Sequence, residues 1–497
     1  MQNPNSSTKN QVLATSSVIL LTLIIFIFLA SCGRSNGPLE YGTSIQAEGA
    51  GPRPGGSLPG TDEDYETDMI LDVPYLDYSD NQLHGQTLTI SVLGDWFIAP
   101  HVAAYMRENP GIMINVTDFG ADWERAREYT NIHLMAGIAP DLIDANFLDF
   151  NNPRITPYLA DWFPIMNACL NFNEDDFFMN VFHAAAVNGQ LYAFPLIFSF
   201  EMITANSTIP GITEALMWYD DGITASQLIN LKRVSDSITG KYMAPDSNAG
   251  TWMRYYFHNF FDFGSRRVDF NNQRFIDFIN HAREVTNPES DFYQGSFNAL
   301  VQPSQELQMS ERYFFQSIGQ EPRLQYFVEF DEDFLFTNPT PIVSDHGELI
   351  IHPWITFVLN AETTTENQAL AWDFMHFMSG ATRVATNTHP DWLPLMPLNR
   401  SALRYSIEMR IPILLSRISV WFLGRQPYGT ESEAIESVID MITALGDMPM
   451  IATTTVPHSV SVIMGEEISN FHHGIITAEE AAENLQNRIT ETMAALG

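Results

Sequence analysis

Gly189-Gln-Leu-Tyr-Ala-Phe-Pro-Leu-Ile-Phe-Ser-Phe-Glu-Met-Ile-Thr-Ala-Asn206 is the stretch on which the fold turns. It is apolar for most of its length and rich in aromatic and β-branched residues, so it reads as extended chain. Pro195 removes one ladder donor and puts that point at a strand edge or a break. Its polar residues, Ser199, Glu201, Thr204 and Asn206, gather toward the far end. Taken alone, the stretch also fits an ordinary buried strand; its surroundings decide.

With 497 residues the chain exceeds what one compact core holds, so two lobes or domains are expected. A hydrophobic share of 45% and an aromatic share of 12% provide ample core. The net charge of -36 repels phosphates, which argues against nucleic acid or an anionic surface as partner. Lysine occurs only at Lys9, Lys232 and Lys241, and arginine carries the remaining positive charge.

Near the N-terminus an apolar run spans Val12 to Ala30, preceded by Lys9 and closed by Leu29-Ala30-Ser31-Cys32-Gly33. This resembles the lipobox of bacterial lipoproteins, in which two small residues precede a cysteine whose thiol takes the lipid. The resemblance implies a signal peptide over 1–31 and lipidation at Cys32. A retained transmembrane anchor is the competing reading, since the run approaches the ~20 residues a span needs. With Cys32 lipidated, Cys169 has no intrachain partner, so no disulfide framework is expected. Residues 32–85 hold a Gly/Pro-rich tract (Gly49 to Gly60) and an acidic patch at Asp62, Glu63, Asp64, Glu66 and Asp68. They read as a flexible leash; about 50 residues of coil span roughly 40 Å. The patch lacks the residue order of a calcium loop.

Thr87 to Leu93 alternates, with Leu88, Ile90 and Val92 on one face, and predicts a strand. A helix follows from near Pro100 to Asn109-Pro110-Gly111, then a strand over Ile112 to Thr117, a helix from Trp123 to about Gly137, and a third strand from Ala139. Such alternation implies a parallel α/β sheet with right-handed crossovers. Ligands in such sheets sit beyond the carboxyl ends of the strands, which makes Asp95, Trp96, Asn146 and Phe147 cleft candidates.

The stretch His133-Leu-Met-Ala-Gly-Ile-Ala-Pro-Asp-Leu-Ile143 resembles a helix–strand junction of the family 1, carbohydrate-type extracellular solute-binding proteins of ABC importers. Gly189 to Asn206 resembles that family's crossing from one lobe to the other. Further similarities follow in the family's order. They are the helix from Thr224, Arg267-Val-Asp-Phe-Asn-Asn272 before a helix with Phe275, Phe278, Ile279 and Ala282, and Ala369-Leu-Ala-Trp-Asp-Phe-Met-His-Phe-Met378. Leu393 to Arg400 and a closing helix capped by Thr477 and Glu480 complete the set. Asn338 to Pro341 and Ile355 to Leu359 read as the return through the hinge, and Thr365 with Gln368 as a capping box. Asp141 and Trp372 read as structural. Residues 401–470 carry no pattern that places elements.

The resemblance implies a two-lobe, type II periplasmic-binding-protein-like α/β clamshell with hinge crossings. The expected divisions are 86–200 for the first part of lobe 1, 201–340 for lobe 2, 341–400 for the return and 401–497 for a helical part spanning both. It implies a monomeric, lipid-anchored receptor facing outside the cytoplasm. Such a receptor captures a sugar or oligosaccharide and passes it to permease subunits, without catalysis or cofactor. Aromatic rings cover the flat C–H faces of sugars, and carboxylates and amides bind their hydroxyls. Asp95, Trp96, Asn146, Glu201, Trp252 and Trp354 are the expected binding residues; Tyr256 shares a helical face with Trp252. Two other readings stay open. A surface glycan hydrolase would need a carboxylate pair in a cleft, which plentiful carboxylates neither support nor oppose. A receptor for a peptide, a polyamine or another non-sugar solute, or one that binds nothing and serves in assembly or sensing, has the same fold requirements. No hydrolase or phosphate-loop signature is present, and His472-His473 lacks matching metal ligands.

Overall fold

A computed structural model describes residues 83–94, 97–120, 122–150, 152–206, 209, 212–216, 219, 221–239, 253, 255–285, 315–317, 336–380, 396–421, 430–453 and 456–496. The expected signal peptide, Cys32 and the leash as far as residue 82 lie outside them.

The chain opens with β1 (Thr87–Val92), α1 (Ile98–Glu108), β2 (Met113–Asp118), α2 (Trp123–Met135) and β3 (Leu142–Asp144). β1 pairs in parallel with both β2 and β3, as the strand–helix alternation predicts. Leu88 and Ile90 are fully buried. Each stabilises the lobe by about 1.5–3 kcal/mol. Asp141 has a structural part here: its Oδ2 accepts from Thr89 N at 2.8 Å and Thr89 Oγ1 at 2.7 Å, tying the entry to β3 to the middle of β1.

Asn188 and Gly189 both have positive φ, 53° and 79°, and Val187 and Gln190 exchange backbone hydrogen bonds across them. This is the tight Asn-Gly hairpin turn. It launches β4 (Ala193–Phe200), buried at every residue, which continues into β5 (Met202–Asn206). The second lobe follows with α3 (Ala225–Thr239) and α4 (Gln273–Val285). Thr224 and Gln227 cap α3 reciprocally, and α3 is longer than the short helix expected. Tyr256 stacks on Phe278 at 3.8 Å between ring centres and is buried, so it serves the second core.

The return runs through β6 (Phe336–Val343) and β7 (Leu349–Leu359) to α5 (Thr365–Ser379). The cap of α5 differs by one residue from the sequence expectation. Thr364, in extended conformation, is the N-cap and accepts from Asn367 N, while Gln368 bonds the Thr363 carbonyl. Trp372 is fully buried and donates to Asn171. The stretch that the sequence left unplaced folds as α6 (Arg400–Trp421), α7 (Glu431–Gly446), β8 (Met450–Ala452) and the start of α8 (His458–His472). The closing helix, α9 (Ala478–Leu496), has the expected Thr477–Glu480 capping box.

Two principal cores result. The first gathers β1, β4, α5, α6 and α7; the second gathers α3, α4, α8 and α9. The chain passes between them three times, and each crossing is a strand whose alternate residues belong to different cores. Met202 packs in the first core and Ile203 in the second. Leu349 and Ile351 pack in the first and Ile350 in the second. On β8, Met450 and Ala452 pack on the first and Ile451 on the second. β7 and β8 pair in parallel here, Leu349 with Met450 through Ile351 with Ala452. The period-2 alternation of a strand thus joins the lobes without a separate linker. The fold is the two-lobe clamshell with hinge crossings.

Candidate functional site

The seam between the cores is built on the antiparallel pairing of β4 with β7, in which His352 faces Ser199, Trp354 faces Ile197 and Thr356 faces Pro195. Strand alternation puts Ser199, Glu201, His352 and Trp354 on one face of this ladder. The other face carries Leu196, Phe198, Phe200 and Phe357 into the first core.

Trp354 is the exposed member, at 37%. Its indole N–H donates to Ser199 Oγ at 3.0 Å, which fixes the ring edge and leaves part of the ring open. The pairing of β7 with β3 stops at Phe357 with Asp144. β7 then runs on past the carboxyl end of β3, so Trp354 lies beyond that end. There it shares the region with the short turn Ala145–Phe147, against which β7 packs.

Asn146 sits on that turn and is exposed. Its backbone and side-chain N–H groups bond Asp144 Oδ1 at 3.0 and 2.9 Å. Burial raises the Asp144 pKa, and the hydrogen bonds from Asn146 and Leu93 N oppose that rise. Asp118 Oδ1 accepts from Gly94 N and Gly120 N, each at 2.7 Å. Asp118 and Asp144 therefore hold the Leu93–Gly94 end of β1 from two sides.

Glu201 differs from a carboxylate open to solvent. It is 1% exposed, and its Oε1 lies 3.2 Å from His352 Nε2 in a buried contact. His352 Nδ1 lies 2.8 Å from Thr453 Oγ1, which in turn is 3.3 Å from the Ile351 carbonyl. If the Thr453 hydroxyl proton goes to that carbonyl, Nδ1 of His352 donates to Oγ1. Nε2 then faces the Glu201 carboxylate. His258 of the second lobe stands behind, buried, with no hydrogen bond at Nε2. Burial foremost, and the His352 charge second, lower its pKa to about 3.

The structure thus puts Trp354 on the strand that packs against the turn bearing Asn146, and Glu201 inside the seam. Asp95, Trp96 and Trp252 lie outside the described residues. Sequence reasoning missed His352, Ser199, Thr453 and His258. A single histidine within the apolar run Leu349-Ile-Ile-His-Pro-Trp-Ile-Thr-Phe357 was the available signal for the first. Among the described residues no group of histidine, cysteine and carboxylate side chains is arranged to hold a metal ion. Among them too, no helix is long and apolar enough to cross a membrane.

No protein-family model matches the chain, and no curated protein matches it. Solved structures do share its fold. The sugar-binding protein MalE from the phytopathogen Xanthomonas citri superposes with a TM-score of 0.53 at 15% identity, over 82% of this chain and 98% of that one. A family 1 extracellular solute-binding protein from Alicyclobacillus acidocaldarius superposes with a TM-score of 0.50 at 14% identity, over 82% of this chain and 98% of that one. At such identities the likeness is one of fold.

Proposed function

We propose that this chain is the solute-binding receptor of an ABC importer, which captures a sugar or oligosaccharide between its lobes and delivers it to permease subunits. The carrying observation is the placement of Trp354, a part-exposed ring anchored by Ser199 on a strand shared by both lobes, beyond the carboxyl end of β3, on the strand that packs against the turn bearing Asn146. A fixed, part-exposed aromatic face suits a pyranose, which has one flat C–H side and a rim of hydroxyls. Asp95, Trp96 and Trp252 are proposed as further contacts. Glu201 is assigned to the hinge, where His352 engages its carboxylate. The solved structures that share the fold are named as solute- and sugar-binding proteins, which supports the same reading. Lipidation at Cys32 would keep the receptor at the outer face of the membrane. Loss of partitioning into a detergent phase in Cys32→Ser tests that part.

The test of function is a thermal-shift screen of the full chain against mono- and oligosaccharides, amino acids, peptides and polyamines. A specific solute at 100 times its Kd adds about 2.7 kcal/mol to stability. A shift with one class of sugar, recovered unaltered, is the expected result. A shift only with peptides or polyamines overturns the sugar assignment, and consumption of the sugar overturns the receptor.

A further inference from the structure

The loop after β3 reaches from the first lobe to two helix ends of the second. Asp149 Oδ1 accepts a hydrogen bond from His458 N at 3.3 Å, at the first residue of α8. The residue before it, Pro457, supplies no side-chain cap. The first N–H groups of a helix lack intrahelical partners and carry the positive end of the dipole. A carboxylate from the other lobe occupies the place of the missing cap. Arg154 Nη2 donates to the Ala495 carbonyl at 2.7 Å, in the last turn of α9. There the carbonyls are unpaired and the dipole is negative. Acid therefore meets a helix start and base meets a helix end, each with the favourable sign. α8 and α9 are joined by a short loop and pack together, which sets the start of one beside the end of the other.

The loop itself is firmly part of the first lobe. Leu148 is buried in the cluster over α2 and β3, and Phe150 and Ile155 pack against it. Asn152 Oδ1 accepts from Arg154 N at 3.0 Å, fixing the backbone that presents the guanidinium. On the other side Val460 is fully buried in the second core. Burial raises the Asp149 pKa, and the His458 N–H, the His458 side chain and Arg127 oppose that rise. α8 begins only a few residues after the third crossing at Ala452, so these contacts lie close to the pivot. A small displacement there becomes a large one at the far tips of the lobes.

We propose that Asp149 and Arg154 form an interlobe clasp that holds the lobes at the angle seen here, and so tunes solute affinity without either residue touching solute. They are positioning residues. The affinity half rests on the receptor function proposed above; the angle half does not.

The test places spin labels at exposed sites of each lobe, through Glu128→Cys on α2 and Glu483→Cys on α9, in the full chain with Cys32 and Cys169 replaced by alanine. Interlobe distances are measured by pulsed electron resonance without solute. Arg154→Gln, at an exposed position where the fold should survive, and Asp149→Ala with Arg154→Gln are compared with their parent. The expected result is a distance distribution that broadens or moves in Arg154→Gln, moves further in the double variant, and is partly restored by Arg154→Lys. Distributions that superpose on the parent overturn the clasp, whether or not a solute has been found. If a solute is known and the distances move while its Kd changes by less than about threefold, the affinity half is overturned.

Discussion

The Glu201 carboxylate and the His352 imidazole meet at 3.2 Å in the seam between two cores, one on the first crossing strand and one on the second. Thr453, just past the strand of the third crossing, bonds the other nitrogen of the same ring. One histidine therefore links all three passages of the chain between the lobes. Polar groups buried there cannot exchange their partners for water without opening the hinge, which makes the register of the crossings specific.

Removing either side chain takes a buried polar contact out of an apolar seam. His352→Leu should lower stability by about 3 kcal/mol, seen as a fall in the urea midpoint. Glu201→Leu together with His352→Leu should cost clearly less than the sum of the two single changes. Strict additivity would show that the groups do not interact.

His258 gives the protein an acid-side sensitivity. Its folded pKa of about 3 lies below the ordinary 6.5, so the unfolded chain binds the proton more readily. This contribution is intact above pH 6.5 and is lost as pH falls toward 3, with a slope of at most about 1.4 kcal/mol per pH unit. Below that range both states are protonated and the slope ends. Urea titrations between pH 4 and 7 should show a shallower decline for His258→Phe than for the parent; parallel curves would remove His258 from the account.

Trp354 carries the proposed solute contact and has little role in the core. Trp354→Ala should weaken solute binding by about 2 kcal/mol, roughly thirtyfold, in the manner of a buried aromatic anchor. Its melting temperature without solute should change little. Equal losses of stability and binding would mark the ring as packing for the seam.

Ile355, next to Trp354, adopts a φ of 48°, a left-handed conformation that a β-branched residue rarely takes. It is partly buried against the first core. Glycine would relieve about 1–2 kcal/mol of backbone strain and forfeit a similar amount of packing. Ile355→Gly should therefore be close to neutral in chemical denaturation, whereas Ile351→Gly, at a fully buried ordinary strand position, should be severely destabilising. Comparable costs at the two sites would mean that Ile355 is not strained.

The sequence made many elements of both lobes legible because their signals are local. The alternation of Leu88, Ile90 and Val92, the Asn109-Pro110-Gly111 stop and the Thr477–Glu480 cap each lie within one element. α5 shows the margin of such signals: the capping threonine moved by one position because Thr364, not Thr365, has the extended backbone an N-cap needs. α6 and α7 stayed unread; α6 contains Pro412, which on local rules breaks a helix.

By itself, the sequence determined the order of strands and helices outside residues 401–470, several of the caps that bound them, and the apolar stretch that passes between lobes. Those follow from periodicity and from hydrogen bonds between residues three or four apart. Only the tertiary structure decided that Glu201 is sealed against His352 while Trp354 stays half open, and that Asp149 and Arg154 reach α8 and α9. Trp354 meets Ser199 across 155 positions, and Arg154 meets Ala495 across 341. Contacts over such separations depend on which strand faces which, and strand pairing is set by the packing of whole cores, not by any one stretch.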